Sequence, residues 1–468
     1  MIPSLTRRRH LGDPAAPSET SVDPELRLPK RSSLIILLTS HLLLQISFFI
    51  PVSSANSYVQ HLGGTSAFSG VVLGVPVIAA ALVIIPMMKY DKDKYMLSIH
   101  VSCASSILGS ILYSLAYPTN YLYLILIGRI VNGMAYSSFM YNKKAFSDAR
   151  WVGVRRRTTL GSWFTVMQGL GVSVGPFLGG ILFKVGFQNR FVNGYTSPGW
   201  IMAIVWSIFW VCAIKWYEDV PDEPENLELH SQTASTMAPS KPGTSGHDVV
   251  TSAAEHDGAA DAVSRSIMTM RQWGVVFCAP FCMCWFAIIC WFILGSWEAN
   301  LPIYGAALPQ FQWSPFTAGN FIALGGACAF PFLLANLFIA RRIQDRKLLV
   351  FGTALGTSGL VIFLALLYTQ TVSYGTLFVS WWSIALGFNL ASTVTVSLLS
   401  KQLPDAWNKR SSLAVQLSTY VGRVGGALWG GSGVKVGMKA YTGLEIGLVG
   451  IGATLFCVLW KDLKAKRG

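Results

Sequence analysis

The sequence is poor in charged residues. Only 12% of its 468 residues are Asp, Glu, Lys or Arg, whereas soluble globular domains carry about 25%. The hydrophobic fraction is 52%, and the mean hydropathy is +0.47. This composition excludes an ordinary soluble domain and indicates that most of the chain lies in lipid.

The sequence also lacks the patterns that mark several other classes of protein. All eight Cys fall inside apolar blocks, so we expect no disulfide framework. Four of them share one segment, where a soft-metal site is the alternative to packing, but we predict no metal. Neither a Gly-rich phosphate loop with Lys and Ser or Thr nor a catalytic constellation is present. We therefore predict no enzyme, no cofactor and no ATP-driven machinery.

Twelve apolar blocks of about 20 residues make up most of the chain, and this is the length that a helix needs to cross a bilayer. Continuous apolar blocks favour helices, because the strands of a membrane barrel would alternate apolar and polar residues. We predict an all-α polytopic membrane protein with twelve transmembrane helices. The predicted spans are 34–52, 68–88, 95–117, 121–141, 158–183, 199–216, 273–297, 316–340, 348–368, 373–400, 411–434 and 441–460.

Polar segments divide the chain into five regions. Residues 1–32 are rich in Pro, Ser and Arg and are predicted to be a disordered tail. Residues 218–271 hold Pro, Ser, Thr, Ala and acids without apolar periodicity, and they are predicted to be a flexible linker. The linker separates an N-terminal six-helix half, 33–217, from a C-terminal six-helix half, 272–460. A basic tail, 461–468, follows.

The positive charges are unevenly distributed between the two sides of the predicted bundle. The links after spans two, four, eight and ten hold 16 Lys and Arg, and the opposite links hold four. Cytoplasmic links carry the excess of Lys and Arg, so both termini and the linker are predicted to be cytoplasmic. The net charge of +14 therefore serves membrane topology, and we predict no nucleic-acid partner.

A glycine pattern is repeated in the two halves. Span eleven repeats the glycines of span five at a constant offset of 251 residues. Small residues at this spacing let helices approach closely. We predict a helix-packing motif formed by Gly171, Gly175, Pro176, Gly179, Gly180, Gly422, Gly426 and Gly430. Two pseudo-symmetric halves joined by a long linker favour a transporter with its site between the halves, near the middle of the membrane.

Over nearly its whole length the chain resembles the major facilitator superfamily. Residues 128–133, Gly-Arg-Ile-Val-Asn-Gly, resemble the arginine motif of that family's fourth span, and residues 171–180 resemble the Gly-Pro motif of its fifth. The link after span two keeps the family's acid and bases but lacks the flanking glycines. The resemblance implies the major facilitator fold, a lipid bilayer as surroundings, and a small molecule or ion as substrate.

A closer resemblance is to the branch that holds the SPX-domain vacuolar phosphate transporters and the lysosomal major facilitator proteins. The matching stretches are residues 128–129, 142–148, 196–200, 397–400 and 417–419. This resemblance implies a vacuolar or endolysosomal membrane rather than the plasma membrane. About 30 residues precede span one, so we expect no SPX domain, and phosphate sensing is not carried over.

Charged residues inside the predicted spans are the strongest candidates for a site, because a charge in lipid faces a cavity or a partner. Arg129 and Arg423 lie well inside spans, and Glu298 lies in the outer part of span seven, beside Pro302, where we expect the helix to break. The alternatives are an arginine capping helix carbonyls for Arg129, a structural pair for Arg423 and a solvated helix end for Glu298. Glu445 is predicted to lie at the surface.

Neutral polar residues add further candidates. His41 and Gln45 share one face of span one because they are four residues apart. Asn132 and Asn389 are candidates in spans four and ten. For each of these residues a hydrogen bond within the core is the alternative to a role in the site.

Together, the residues and the resemblance predict a secondary active transporter, a symporter or antiporter that works by alternating access as a monomer. We expect it to move a small anionic or polar solute with protons, Glu298 being the proton site and Arg129 lying nearer the substrate. An efflux pump for a small organic compound is an alternative. A non-transporting solute sensor, or an anion-conducting channel on the same fold, is another.

Overall fold

The computed structural model describes residues 28–90, 94–148, 150–187, 189–220, 270–339, 343–400, 408–461 and 463. Within these ranges the chain forms helices and no strand. The predicted N-terminal tail and linker lie mostly outside the described residues, as does most of the basic tail.

In the described part of the N-terminal half, eight helices form six spans. The short α2 follows α1 after a turn, and α5 and α6 together make one span, Leu122–Phe146. The helices are α1 (Arg31–Phe49), α2 (Ala55–His61), α3 (Ser66–Tyr90), α4 (Met96–Thr119), α5 (Leu122–Ala135), α6 (Ser138–Ser147), α7 (Val154–Val185) and α8 (Ser197–Trp216).

The described residues of the C-terminal half form six helices, each of which is one span. They are α9 (Met270–Ala307), α10 (Pro315–Ile339), α11 (Asp345–Thr369), α12 (Tyr374–Ser400), α13 (Asn408–Val436) and α14 (Met438–Leu459).

Eleven segments among the described residues are long and apolar enough to cross a membrane. The helix α13 is not among them, because its glycines and polar side chains lower its hydropathy. It nevertheless has 29 residues and packs along α9 and α3 inside the bundle. With α13 counted, the described ranges contain the twelve helical spans that were predicted, and the all-α fold class is confirmed.

Hydrogen bonds show which helix ends share a face of the bundle. The Ser33 hydroxyl at the start of α1 donates to the carbonyl of Glu218 after α8, at 3.0 Å. Arg346 at the start of α11 donates to the carbonyl of Trp460 after α14, also at 3.0 Å. We name this side, where both six-span halves begin and end, the terminal face. The other side is the opposite face.

The motif glycines of α7 lie against α1. A Cβ atom added to Gly175 would come 2.6 Å from Cβ of Phe49, and one added to Gly179 would come 2.6 Å from Oγ of Ser53. The same atom on Gly171 would collide with the side chain of Gln45. Only glycine therefore leaves room for α1 at three successive turns of α7.

The corresponding glycines of α13 lie against α9. Gly422, Gly426 and Gly430 contact the backbone of Ile288, Phe292 and Ser296. These three partners follow the α1 partners 45, 49 and 53 at a constant offset of 243 residues. The internal repeat thus extends from the glycines to the helices that they contact.

The two halves meet closely near the opposite face. There α3 packs on α13, and α7 packs on α10. A Cβ atom added to Gly431 would come 2.8 Å from the carbonyl oxygen of Ser66 and 2.9 Å from Cα of Gly70. One added to Gly180 would come 3.2 Å from Cα of Phe316. Backbone lies almost directly on backbone, which closes this end of the space between the halves.

The prediction that span seven breaks near Pro302 is wrong. Helix α9 is continuous from Met270 to Ala307, with Pro302 inside it. Proline removes one backbone hydrogen bond, but tertiary contacts can hold the helix together. Here α9 packs along α13, and the Asn300 amide donates to the carbonyl of Gly430 at 3.1 Å.

Candidate functional site

A cavity of about 320 Å³ lies between the two halves. Its walls come from α1, α3, Tyr136 at the junction of α5 and α6, α6 and α7 on one side, and from α9, α12 and α13 on the other. Glu298 and Arg423 lie at its deep end, and His41, Lys143 and Gln416 lie nearer the terminal face. A second cavity of about 150 Å³ adjoins it and shares Glu298 with it. We name the larger one the central cavity.

An ion pair between α9 and α13 lies at the deep end of the central cavity. Nη2 of Arg423 is 2.6 Å from Oε2 of Glu298, and each residue is only 8% exposed. A charge-assisted hydrogen bond of this length is among the stronger polar contacts in proteins. Glu298 therefore does not lie at a solvated helix end, and each of the two charges has its partner inside the bundle.

Aromatic rings surround the Arg423 guanidinium on its other sides. Its central carbon lies 4.8 Å from the ring centroid of Phe48, 5.0 Å from that of Phe49 and 5.1 Å from that of Trp291. Arginine is attracted to the faces of aromatic rings at such distances. Because Phe48 and Phe49 belong to α1, these contacts connect the C-terminal ion pair to the N-terminal half.

Arg129 is buried at 1% exposure, and it is bound to backbone carbonyls rather than to the central cavity. It donates to the carbonyls of Val72 at 3.3 Å, Ser47 at 3.4 Å and Phe48 at 3.5 Å. Two of these acceptors lie four residues before a proline, so no backbone N–H is available to them within their own helix. These prolines are Pro51 and Pro76.

The other polar candidates divide between two cavities. His41, Gln45 and Asn389 line the central cavity, and the Asn389 amide also donates to the carbonyl of Ala385 at 2.7 Å. Asn132 lies beside Arg129 in a separate cavity of about 20 Å³. The structure thus brings five of the seven predicted site residues together and leaves Arg129 and Asn132 outside that group.

Sequence patterns alone did not identify several residues that line the central cavity. Lys143 had been counted only as a topological charge, and Tyr136, Trp291 and Tyr420 had not been singled out among the many aromatic residues. One usable signal was present for Lys143, because it follows an apolar stretch without a break. The aromatic residues carry no such signal, since their packing partners lie on distant helices.

The prediction that Glu445 lies at the surface is wrong. Glu445 is completely buried, and its carboxylate accepts hydrogen bonds from Oγ of Ser296 at 2.5 Å and from Nε1 of Trp297 at 2.9 Å. The reason is that α14 begins immediately after Gly437. Glu445 consequently lies two turns inside the helix, on the side that faces α9.

Relatives of the chain support a membrane transporter. An uncharacterized MFS-type transporter of Schizosaccharomyces pombe is 30% identical over 450 residues, which cover 94% of this chain and 83% of the relative. An SPX domain-containing membrane protein of Arabidopsis thaliana is 31% identical over 207 residues, which cover 44% of this chain and 28% of that protein.

Solved structures with the same fold are transporters as well. The crystal structure of a D-xylose-proton symporter has a TM-score of 0.68 at 15% identity, and the match covers 93% of this chain and 99% of that one. A POT family transporter in complex with 5-aminolevulinic acid has a TM-score of 0.66 at 12% identity, with the same coverage. Residues 35–427 match the family model of the Major Facilitator Superfamily. The chain belongs to the major facilitator superfamily.

Proposed function

We propose that this membrane transporter is a proton-coupled secondary carrier that moves a small anionic or polar solute by alternating access. The observation that carries the proposal is the central cavity, which lies between the halves, extends toward the terminal face and ends at a buried ion pair. Close backbone contact seals the halves beyond it. Secondary transporters of this kind bind their solute at the interface of two repeats.

Glu298 is the proposed proton site. When its carboxylate is ionised, Glu298 binds Arg423 and holds α9 and α13 together. Protonation removes the negative charge, and with it the Coulomb attraction to the guanidinium. Arg423 is then free to bind a polar group of the solute, or to let α13 shift relative to α9.

The ring contacts of Arg423 can couple the protonation of Glu298 to a movement of the two halves relative to each other. Arg423 rests on Phe48 and Phe49 of α1 and also on Trp291 of α9. Any displacement of the guanidinium therefore changes contacts across the interface of the two halves. A two-state carrier needs such an element, whose equilibrium both the proton and the solute can bias.

For Arg129 we favour the alternative reading of the sequence, an arginine that caps helix carbonyls, over a place nearer the substrate. Its guanidinium is bound to three carbonyls of α1 and α3. We propose that it stabilises the end of α1, which Pro51 follows, and the segment of α3 before Pro76, and that it does not contact the solute. Arg423 takes the place near the solute instead.

The charge distribution supports an orientation and a type of membrane. We propose that the terminal face is cytoplasmic, because its links carry 16 Lys and Arg against four on the opposite side. A vacuolar or endolysosomal membrane fits the resemblance to the SPX-domain membrane proteins. An acidic lumen would then supply the proton gradient. The central cavity is complete within one chain, so we expect a monomer to be active.

Transport by purified protein in lipid vesicles tests the proposal. We expect a pH step to drive uphill solute uptake in the wild type, and counterflow without a pH step to occur as well. Glu298→Gln is neutral and nearly isosteric, so it should abolish pH-driven accumulation while exchange at equal concentrations persists. Full pH-driven accumulation by Glu298→Gln would refute the proton role.

The same vesicles separate the carrier from the two other functions on this fold. A sensor would bind a solute without flux, and a channel would give a flux that does not saturate with solute concentration. Saturable counterflow is expected only for a carrier, so its absence in active, folded protein would contradict the proposal.

A further inference from the structure

One wall of the central cavity is a continuous row of aromatic rings. His41 lies 5.2 Å from Phe139 between ring centroids, Phe139 stacks on Tyr136 at 5.7 Å, and Tyr136 contacts Phe48 at 5.3 Å. Phe49 continues the row at 5.1 Å. Phe48 lies seven positions after His41 on α1, so the row is about 10 Å long. Such a wall favours a solute with a flat or ring-shaped apolar body.

The wall across the cavity is polar, and its one charged group, the Arg423 guanidinium, is already paired with Glu298. This wall is formed by α12 and α13, most of whose side chains at the cavity carry amide or hydroxyl groups. These residues are Asn389, Ser392, Thr393, Thr395, Gln416 and Thr419. Amides and hydroxyls both donate and accept hydrogen bonds, so this wall suits the polar substituents of an organic molecule better than it suits a bare ion.

Buried polar atoms without a protein partner also line the cavity. Both ring nitrogens of His41, which is 1% exposed, have no hydrogen-bond partner among the described residues. Buried polar groups are nearly always paired in folded proteins. Groups left open at one cavity are those that a bound solute would satisfy.

The charge balance of the described cavity lining leaves a single positive charge. Arg423 and Glu298 neutralise each other, and Arg129 lies behind the wall on backbone carbonyls. Lys143 remains, an exposed residue near the terminal face that has no ion pair among the described residues. One uncompensated ammonium group favours a solute with one negative charge.

From these four features we infer that the central cavity binds a ring-bearing organic monoanion, of the size of a sugar acid or an aromatic carboxylate. Its acidic group lies at Lys143 and His41, its ring lies on the aromatic row, and its substituents reach the amides and hydroxyls of α12 and α13. The inference rests on the proposed function, since it names the solute class for that same cavity. It excludes a bare inorganic oxyanion, for which about 320 Å³ walled by aromatic rings is a poor match.

Thermal unfolding of the purified full chain tests binding, because a ligand that binds only the folded state raises the melting temperature. Four probes distinguish the contribution of a ring to binding from that of a negative charge. Glucuronate and benzoate carry both features, glucose carries a ring without the charge, and inorganic phosphate carries the charge without a ring. We expect glucuronate or benzoate to raise the melting temperature in a saturable way. We expect glucose and phosphate to have little effect at the same concentrations.

Two lysine variants locate the acidic group. Lys143→Gln should weaken binding of the ring-bearing anion by about tenfold or more, because a hydrogen bond to a charged group is lost. Lys144→Gln is the matched control, since Lys144 is the next residue, is also exposed and does not line the cavity. It should bind as the wild type does.

The outcomes are distinguishable. Equal stabilisation by phosphate or glucose, no stabilisation by either ring-bearing anion, or equal weakening in both lysine variants would overturn the inference. Uptake assays in vesicles with the same probes then distinguish a failure of the inference from a failure of the proposed function. Glucuronate that binds but is never transported would contradict the carrier alone, and pH-driven phosphate uptake without binding of the ring acids would contradict the inference alone.

Discussion

Arg129 shows how a buried charge can be required by two prolines. Pro51 and Pro76 each leave the carbonyl four residues earlier without its helical donor, and these carbonyls belong to Ser47 and Val72. The guanidinium of Arg129 donates to both. A planar group with five donors in a fixed fork can serve several acceptors at once, which an ammonium group cannot do in the same way.

The first prediction follows from this geometry. Arg129→Lys keeps the charge but cannot reproduce the three bonds, so it should lower the stability of the folded protein by about 1–3 kcal/mol, the effect of leaving a buried acceptor unsatisfied. Thermal unfolding in detergent measures the loss. The solute affinity of protein that remains folded should stay unchanged. A loss of solute affinity at normal stability would indicate instead that Arg129 contacts the solute.

The ion pair of Glu298 and Arg423 yields a second prediction. Arg423→Gln leaves a carboxylate buried without its partner, which costs about 3–5 kcal/mol in comparable cases. The double variant Glu298→Gln with Arg423→Gln removes both charges and should recover much of that stability. A double-mutant cycle on unfolding measures the coupling. Additive effects of the two single changes would mean that the pair contributes nothing.

The sequence identified both members of this pair but not the pairing. Glu298 and Arg423 stand out because few charges lie inside apolar spans, and each was expected to need a partner. They are 125 residues apart on different helices, and no local pattern states which faces of α9 and α13 meet. Glu445 was misplaced for a related reason, because its donors Ser296 and Trp297 lie on another helix.

At the scale of the element, glycine decides how closely helices approach. Gly175→Ala in α7 would place a Cβ atom 2.6 Å from Cβ of Phe49, and overpacking of this kind typically costs about 1–3 kcal/mol. Gly161→Ala on the same helix is the matched control, because an added Cβ there meets nothing within 4 Å. The control should be neutral or more stable by up to about 1 kcal/mol, from helix propensity.

Unfolding temperatures of the two variants test this prediction. We expect Gly175→Ala to unfold at a lower temperature than the wild type, and Gly161→Ala at the same or a higher temperature. If both changes had the same effect, the close approach of α7 and α1 would not contribute to stability.

The helices were predictable to different degrees. Spans with continuous apolar blocks follow from the length that lipid requires, as α3 and α11 show. Helix α13 is less apolar, and its glycine repeat with α7 identified it more clearly than its hydropathy did. The continuity of α9 through Pro302 was not predictable, because neighbouring helices rather than local sequence hold it together.

At the scale of the whole molecule, the two halves form an asymmetric interface. Near the opposite face, α3 and α13 meet at Gly70 and Gly431, while toward the terminal face the central cavity separates the halves. Twelve spans and the repeat were readable from the sequence, since both are periodic features. Which end of the interface is closed was not readable, because the glycine contacts that close it join helices far apart in the sequence.

The last prediction concerns this closed end. An added Cβ at Gly70 would collide with the carbonyl of Ala427 and lie 3.1 Å from Cα of Gly431, whereas one at Gly74 would make only ordinary contacts of 3.4 Å or more. Gly70→Ala should therefore destabilise the closed arrangement and shift the population toward one that is open at the opposite face. Gly74→Ala on the same helix is the matched control.

Spin labels report the shift directly. Gln60 and Lys435 are exposed and line, from different halves, a cleft of about 490 Å³ at the opposite face, so cysteines placed there report the separation of the halves. The background for labelling replaces the two exposed native cysteines, Cys278 and Cys457, by serine. In lipid nanodiscs we expect Gly70→Ala to move the label distance distribution to longer values and Gly74→Ala to leave it unchanged. Identical distributions would show that this glycine contact does not hold the opposite face closed, and the seal would then have to come from the packing of α7 on α10.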